Sequence, residues 1–298
     1  MSHDPADSPW MVSLHGGHSG AYCDHAEGAL EALVQRAVAQ GMSTYGLSEH
    51  APRLDPELVY AEEKAMGWDV THLEKLFADY VVEGRRLQAA YADQIELLVG
   101  FEIEVVPVDR YASVMQGFRE RYELDYIVGS VHWVDGIIID YTRAWFDDAV
   151  AACGGLEQLA LRYYDTVAEM MVALRPEVLG HLDLVRRHGG EDPALETPAV
   201  RDRAKAVLAL AKEQGGILDI NTAAYRKGLA TPYPAPWLLE AARDLGVACC
   251  FGDDAHRAGE VGAGIPQARE YLLGHGINEV TVLRRGAGGL ERRKISLT

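Results

Sequence analysis

The chain has 298 residues, 48% of them hydrophobic, which is enough for one large or two average domains with a sizeable core. Its 45 acidic residues outnumber its 28 basic ones and give a formal net charge of −17 at neutral pH. This balance argues against nucleic acid or an anionic membrane as a partner, because both require lysine and arginine to neutralise phosphates. A small phosphorylated substrate stays possible, since a metal cluster neutralises its charge locally.

Predicted strands and helices alternate along the chain. Short apolar runs predict strands at 10–14, 43–47, 95–101, 124–131, 178–181, 216–221, 247–252 and 279–283. Stretches of helical period predict helices at 27–40, 70–92, 109–122, 156–174, 199–214, 235–245 and 265–273. Gly215 and Gly246 follow two of these helices, as is typical of a left-handed C-terminal cap. Seven or eight strand–helix units with buried, non-alternating strands indicate a parallel sheet closed into a barrel.

We therefore interpret residues 1–298 as one α/β domain, with residues 1–9 as a short polar tail. Two connections, 51–68 and 133–154, are longer than a barrel needs. Long connections at one end of a barrel are typical of lids or substrate-binding elements, and a decorative insertion is the alternative.

The location is predicted from the cysteines and from the lack of sorting signals. Cys23, Cys153, Cys249 and Cys250 show no zinc-finger spacing, and the adjacent last pair suits no disulfide framework. The N-terminus has no signal-peptide pattern, and no stretch approaches the ~20 apolar residues of a membrane span. A reducing cytoplasm is the simplest setting.

Metal-binding residue types cluster directly after the predicted strands. In a parallel barrel these strand ends lie on one face, where active sites are built. One such histidine is more often structural than a ligand, but many together would repel one another when protonated and waste core space when neutral. We therefore predict a polynuclear metal site from seven of the eleven histidines and two of the acids at the same strand ends; the histidines are His15, His18, His25, His50, His132, His181 and His256.

Ligand type and number constrain the ions. Mixed imidazole and carboxylate ligands suit Zn, Mn or Fe, whereas Mg and Ca prefer oxygen cages. Nine candidate ligands exceed the needs of one ion, so we expect two or three divalent ions. Two metals a few ångströms apart are typical of phosphate-ester hydrolysis.

Eight segments together resemble the polymerase and histidinol phosphatase (PHP) superfamily, and within it the stand-alone histidinol-phosphatases. They are HGGHSGAYCDHAEG at 15–28, LSEHAPR at 47–53, GFEIEV at 100–105, LDYIVGSVHWV at 124–134, LGHLDLVRRHG at 179–189, LDINTAAYRKG at 218–228, YPAP at 233–236 and GDDAHRAGEVG at 252–262. The resemblance implies a single distorted (β/α)7 barrel with a trinuclear metal centre. It also implies hydrolysis of L-histidinol phosphate to L-histidinol and phosphate, a reaction of histidine biosynthesis, by a metal-bridging hydroxide attacking phosphorus in line.

The resemblance assigns the metal ligands position by position. It implies eight ligands, with Glu102 bridging two ions and with Glu102, Asp254 and His256 acting in catalysis. The eight are His18, His25, His50, Glu102, His132, His181, Asp254 and His256. The family usually begins with His-x-His, whereas this chain has His15-Gly-Gly-His18. His15 is therefore expected either to reach the metal through glycine flexibility or to support a ligand.

Substrate binding is predicted from charged residues near these motifs. Arg226 fits the family's phosphate-contacting arginine, and Arg53 and Arg257 follow metal motifs, where each is either a phosphate donor or a surface charge. Asp140 is a candidate for binding the substrate's amine, with Glu104 and Asp183 as alternatives, although each also suits a structural role. The acid that protonates the leaving alkoxide is not identified; Asp24 and Asp253 are candidates.

Three other functions stay open. A PHP-family phosphoesterase would act on another small phosphate ester or a nucleotide. A metal-dependent amidohydrolase shares the barrel and histidines, but many of those use a carbamylated lysine after the fourth strand, where this chain has His132. A catalytically silent metal-binding scaffold is the third, and the complete ligand set argues against it.

Overall fold

The structure is a computed structural model that describes residues 8–298. The predicted polar tail at 1–9 thus lies outside the described residues except for Ser8 and Pro9. Among the described residues, no helix combines the length and apolarity that a membrane crossing requires.

The strands and helices alternate as predicted. The strands are β1 (Val12–Ser13), β2 (Thr44–Leu47), β3 (Glu96–Val99), β4 (Phe101–Glu102), β5 (Ile127–Gly129), β6 (Trp133–Val134), β7 (Ile137–Ile138), β8 (Val178–Leu179), β9 (Ile217–Asn221), β10 (Ala248–Gly252), β11 (Glu279–Gly286) and β12 (Gly289–Ser296). The helices are α1 (Leu30–Ala39), α2 (Ala61–Ala65), α3 (Val70–Ala90), α4 (Tyr111–Arg121), α5 (Arg143–Cys153), α6 (Leu156–Leu174), α7 (Arg186–Gly189), α8 (Pro198–Gln214), α9 (Ala223–Arg226), α10 (Pro236–Leu245) and α11 (Ile265–Gly274).

Backbone pairing joins the parallel strands into a ring. β1, β2 and β3 form one sheet, and β4, β5, β8, β9 and β10 form a second, with β3 and β4 separated by one residue of the same chain segment. The two sheets also meet at β1 and β10, where Leu14 N donates to Phe251 O and Asp254 N donates to His15 O, both at 2.9 Å. The seven-unit barrel is confirmed, and its short, interrupted strands make it a distorted one.

Local signals explain where several helices end. Gly215 and Gly246 adopt φ values of 76° and 68° after α8 and α10, which confirms both as left-handed caps. At the other end of α8, the Thr197 hydroxyl accepts a hydrogen bond from Val200 N at 3.3 Å. The strands are buried on both faces because the helices pack on the outside of the ring; every residue of β2 and β9 is buried.

The long connection at 133–154 is more ordered than the sequence analysis predicted. It contains the antiparallel hairpin β6–β7 and the helix α5. Asp135 and Gly136 form the two-residue turn with φ values of 50° and 83°, the conformation that an Asp-Gly turn favours. The connection at 51–68 likewise contains a 3-10 turn (Pro56–Leu58) and α2.

The last predicted strand does not join the barrel. β11 pairs with β12 along its length as an antiparallel hairpin, and β12 was not predicted. Arg285 N donates to Glu96 Oε1 at 3.2 Å, so the hairpin lies at the start of β3. It therefore covers the end of the barrel opposite the C-terminal strand ends.

Candidate metal centre and active site

The nine predicted metal-binding residues converge on the C-terminal face of the barrel. Their donor atoms fall into five overlapping groups of three or four, within which all donor atoms lie within 4.8 Å of one another. Every one of the nine belongs to at least one group: His15, His18, His25, His50, Glu102, His132, His181, Asp254 and His256. Closure of the barrel thus brings residues from six strand ends to one place.

Glu102 lies at the centre of this cluster and is almost fully buried. Its carboxylate is surrounded by imidazole nitrogens from five histidines. Oε1 is 3.2 Å from His15 Nε2, 3.0 Å from His181 Nε2 and 3.4 Å from His132 Nε2, whereas Oε2 is 3.1 Å from His50 Nδ1 and 3.6 Å from His18 Nε2. Each oxygen thus faces a different set of nitrogens, which is the arrangement that a carboxylate shared by two ions needs.

Several buried ring nitrogens make no hydrogen bond of acceptable geometry, although three of them lie within 3.6 Å of a Glu102 oxygen. His15 Nε2, His18 Nε2 and both ring nitrogens of His50 are in this state, which is rare for buried polar atoms. His132 Nε2 and His181 Nε2 also lie only 3.2 Å apart, and a shared proton or a metal ion would remove the repulsion between their lone pairs. Imidazole nitrogens with carboxylate oxygens are ligands of Zn, Mn and Fe, so this donor set fits divalent ions.

His15 belongs to the cluster despite the extra glycine. Its side chain is fully buried, and its Nδ1 lies 2.8 Å from Asp219 Oδ2, which leaves Nε2 facing Glu102. After His15, the backbone passes so close to β2 at Gly16 that a Cβ there would lie 2.1 Å from the carbonyl oxygen of Gly46. The double glycine therefore does not carry His15 away from the other donors.

His25 occupies the outer side of the cluster. Its side chain is 42% exposed, and its Nδ1 lies 2.9 Å from Asp24 Oδ1. It groups with His50, His256 and the buried Cys23, whose Sγ lies 3.3 Å from His25 Nδ1. The sequence analysis did not place Cys23 at the site, although it stands two residues before a predicted ligand.

The electrostatics of the cluster favour cations. Burial raises the pKa of Glu102, but the charges of His15 and His132 outweigh it and hold that pKa well below its ordinary value. Burial lowers the pKa of His132, but the carboxylates of Glu104 and Glu102 outweigh it and raise the pKa to about 10. In His50, burial and the neighbouring His18 lower the pKa well below its usual range. Protons and metal ions therefore compete for the same nitrogens.

Buried carboxylates hold the histidine rings from behind. Glu49 Oε1 lies 3.4 Å from His18 Nδ1, and Glu104 Oε2 lies 3.3 Å from His132 Nδ1. Asp219 contacts His15 in the same way. Such carboxylate–histidine pairs fix the tautomer that leaves the other nitrogen available to a metal. No role was predicted for Asp219 or Glu49 from the sequence, yet an acid inside a buried parallel strand, such as Asp219 in Ile-Leu-Asp-Ile-Asn, indicates that it has a partner.

A cavity of about 350 Å³ opens beside the cluster. Arg226 lines it, and its Nη2 donates to the carbonyl oxygens of Asp253 and Asp254 at 2.8 Å each. Lys227 also lines it, with Nζ 3.9 Å from Asp254 Oδ2. Arg187 is a third cation that lines the cavity. The cavity therefore combines metal-binding donors with fixed positive charge.

The other predicted substrate-binding residues occupy different positions. Asp140 and Arg53 line the cavity; Arg53 pairs with Glu63. Arg257 does not line it: its side chain is 56% exposed and its Nε lies 2.9 Å from Glu260 Oε1.

The candidate acids differ in their surroundings. Asp253 is fully buried and its Oδ2 accepts a hydrogen bond from Gly262 N at 2.7 Å. Asp183 Oδ2 accepts one from Ala235 N at 2.7 Å and also lies 3.2 Å from Arg186 Nη1. Neither aspartate lines the cavity; a backbone N–H holds Asp253, and a backbone N–H together with Arg186 holds Asp183.

Residues 15–223 match the PHP domain family. The chain therefore belongs to this family. Its relatives include the "Probable histidinol-phosphatase" of Schizosaccharomyces pombe, 36% identical over 282 residues, which cover 93% of this chain and 91% of that protein. The histidinol-phosphatase of Saccharomyces cerevisiae is 28% identical over 292 residues, covering 87% of each chain.

A solved structure supports the fold. It is the histidinol phosphate phosphatase of Lactococcus lactis subsp. lactis Il1403, complexed with zinc, L-histidinol and phosphate. It superposes with a TM-score of 0.69 at 20% identity, covering 92% of this chain and 96% of that one. The likeness shows a distorted (β/α)7 barrel of the PHP type.

Proposed function

We propose that this chain is a metal-dependent phosphomonoesterase that hydrolyses L-histidinol phosphate to L-histidinol and phosphate in histidine biosynthesis. The observation that carries the proposal is the convergence of nine metal-binding residues around Glu102, beside a cavity lined by Arg226 and Lys227. The names of its relatives from two yeasts, which align over most of their length, point to the same reaction.

Two or three divalent ions, with Zn, Mn and Fe as candidates, would be held by the nine residues listed above. The zinc in the Lactococcus lactis structure makes zinc the first ion to test. Bound ions supply the charge that activates water near neutral pH and neutralises phosphate oxygens. Glu102 would hold ions at both of its oxygens, and Asp254 and His256 would hold them on the side of the cluster nearest Arg226 and Lys227.

The chain's own cations orient the substrate. Arg226 is anchored through Nη2 to the carbonyl oxygens of Asp253 and Asp254, and its Nε lies 3.4 Å from Glu260 Oε2, so its guanidinium is fixed and Nη1 would be the donor to phosphate. Lys227 adds a second positive charge next to the carboxylate of Asp254. Together they hold the ester in line with the cluster, which lowers the entropic cost of reaction.

The amine and ring of the substrate would occupy the part of the cavity beyond the phosphate. Asp140 is the carboxylate assigned to that end, with its side chain 15% exposed and Oδ2 3.5 Å from Arg187 Nη1. Arg53 supports the cavity wall, and Arg257 contributes surface charge.

The test is phosphate release from L-histidinol phosphate and from a panel of phosphomonoesters and nucleotides. Protein stripped by a chelator and then reloaded separately with Zn, Mn or Fe is compared with the untreated protein. We expect the highest kcat/KM for L-histidinol phosphate, with loss on chelation and recovery on reloading. Preference for another ester or nucleotide would replace the substrate assignment, and the absence of metal-dependent hydrolysis of any ester would favour the scaffold.

We also propose that residues 1–298 act as one domain in the cytoplasm. The barrel strands and their covering helices share a single cluster of buried hydrophobic residues. All four cysteines are free, as suits a reducing compartment.

A further inference from the structure

Three aromatic rings lie in a row at the cavity. The Trp133 and Tyr60 rings are 6.3 Å apart between centroids and within 7° of parallel, and the Tyr60 and Tyr141 rings are 5.5 Å apart and within 18° of parallel. Tyr60 and Tyr141 both line the cavity and are partly exposed, whereas Trp133 is buried. All three come from the two long connections rather than from the barrel strands or outer helices.

A buried ion pair holds the middle ring in place. The guanidinium carbon of Arg53 lies 3.9 Å from the centroid of the Tyr60 ring, and Arg53 pairs with Glu63. Glu63 Oε2 in turn accepts a hydrogen bond from the backbone N of Tyr60 at 2.8 Å. The side chains of Arg53 and Glu63 are only 5% and 3% exposed. A desolvated ion pair against an aromatic face keeps Tyr60 rigid, and Tyr141 stacks on that fixed ring.

A carboxylate and an apolar side chain stand next to the outer ring. Asp140 directly precedes Tyr141 and lines the cavity together with Ile138. The metal-binding cluster and Arg226 line other parts of the same cavity. A phosphate held at the cluster therefore leaves the rest of a small substrate facing an aromatic and carboxylate surface. Aromatic faces stack on flat rings, and a carboxylate accepts hydrogen bonds from their N–H groups.

We propose that Tyr141, supported by Tyr60, is the surface on which the substrate's nitrogen heterocycle stacks, and that Asp140 accepts a hydrogen bond from the ring N–H instead of pairing with the amine. The chain thereby selects phosphomonoesters whose alcohol carries a flat, N–H-bearing ring. This inference rests on the proposed function and adds its specificity-determining residues. Tyr141 acts on the ring alone, so its loss should leave the recognition of phosphate unchanged.

Two substrates distinguish the contribution of the ring to kcat/KM from that of the rest of the molecule. L-histidinol phosphate and L-alaninol phosphate share the phosphate ester and the amine, and only the first carries imidazole. Hydrolysis of both is measured with the zinc-loaded wild type and with Tyr141→Ala, Tyr141→Phe and Asp140→Asn. Tyr111→Ala is the matched control, because Tyr111 is also partly exposed but lies on α4 and does not line the cavity.

We expect Tyr141→Ala to lower kcat/KM for L-histidinol phosphate about tenfold, as the loss of a stacking partner predicts. It should change the value for L-alaninol phosphate little. Tyr141→Phe, which keeps the ring, should retain the preference, Asp140→Asn should weaken it, and Tyr111→Ala should leave it unchanged. Equal losses on both substrates in Tyr141→Ala would overturn the inference.

A binding measurement tests the ring subsite separately from the proposed hydrolysis. If the zinc-loaded wild type does not hydrolyse L-histidinol phosphate, the proposed function fails. The ring subsite is then judged by calorimetric titration of L-histidinol and L-alaninol into zinc-loaded protein with phosphate. Tighter binding of L-histidinol that is lost in Tyr141→Ala supports the subsite, and equal binding of the two alcohols refutes it.

Discussion

Replacing Asp219 by asparagine should weaken metal binding without changing the size of the side chain. Asp219 Oδ2 lies 2.8 Å from His15 Nδ1 and also accepts from His181 N at 3.3 Å and Asn221 Nδ2 at 3.0 Å. The carboxylate therefore keeps a proton of His15 on Nδ1, so that Nε2 is the nitrogen that a metal ion can take. An amide at this place offers an acceptor to only some of these donors, so the His15 tautomer is no longer imposed.

The magnitude follows from the kind of contact that is lost. Removal of a carboxylate that supports a metal-binding histidine typically costs about 10–100-fold in metal affinity. That range corresponds to about 1.4–2.7 kcal/mol, in line with the net value of about 1.5–3 kcal/mol for a hydrogen bond to a charged group. Full burial of both partners places Asp219→Asn towards the upper part of the range.

The assay is competition for zinc between the protein and a chromophoric chelator, which reports the metal dissociation constant without turnover. Asp202→Asn on α8 is the matched control, because Asp202 is exposed on an outer helix and the same chemical change there should leave zinc affinity unaltered. A zinc dissociation constant unchanged in Asp219→Asn would refute the argument that Asp219 prepares His15 as a ligand.

His132→Ala should remove most turnover while circular dichroism still shows folded protein, because it deletes a donor from the cluster; near-normal turnover in metal-replete protein would contradict the ligand role. Gly16→Ala should lower the free energy of unfolding by about 1–3 kcal/mol, since its Cβ would meet a backbone oxygen, whereas Gly117→Ala, with open space inside α4, should raise it by about 0.5–1 kcal/mol; equal urea midpoints would contradict this. In metal-free protein, the pKa values of His18 and His132 are raised from 6.5 to about 9 and about 10. Protons bound there stabilise the fold below pH 6.5, and this contribution is lost as pH rises through 9–10. Urea unfolding of chelated protein should therefore show a free energy of unfolding that falls as the pH rises from 6.5 to about 10. A free energy of unfolding that stays constant or rises over this range would count against the pKa shifts.

The position of the metal centre was predictable from the sequence because strand direction and barrel closure are read from local patterns. Buried apolar runs followed by helices indicate a parallel barrel, and every C-terminal strand end then falls on one face. The residues after the strands were consequently expected at one place, and donors as distant along the chain as His15 and His256 do meet there.

The connection at 133–154 also contains a local sequence pattern that indicates a hairpin. The Asp135-Gly136 pair between two apolar dipeptides is typical of a hairpin turn, and the hairpin it forms shapes one wall of the cavity. Hydrophobic periodicity does not reveal these strands, because β6 and β7 have only two residues each.

Other features were decided by the tertiary structure alone. His15 and Asp219 are 204 residues apart, and their contact exists only because β9 and β10 close the ring against β1. The aromatic row likewise joins Tyr60 and Tyr141 from two separate connections. Composition and spacing determine which residue types follow each strand; which of them touch depends on packing between segments that no local pattern relates.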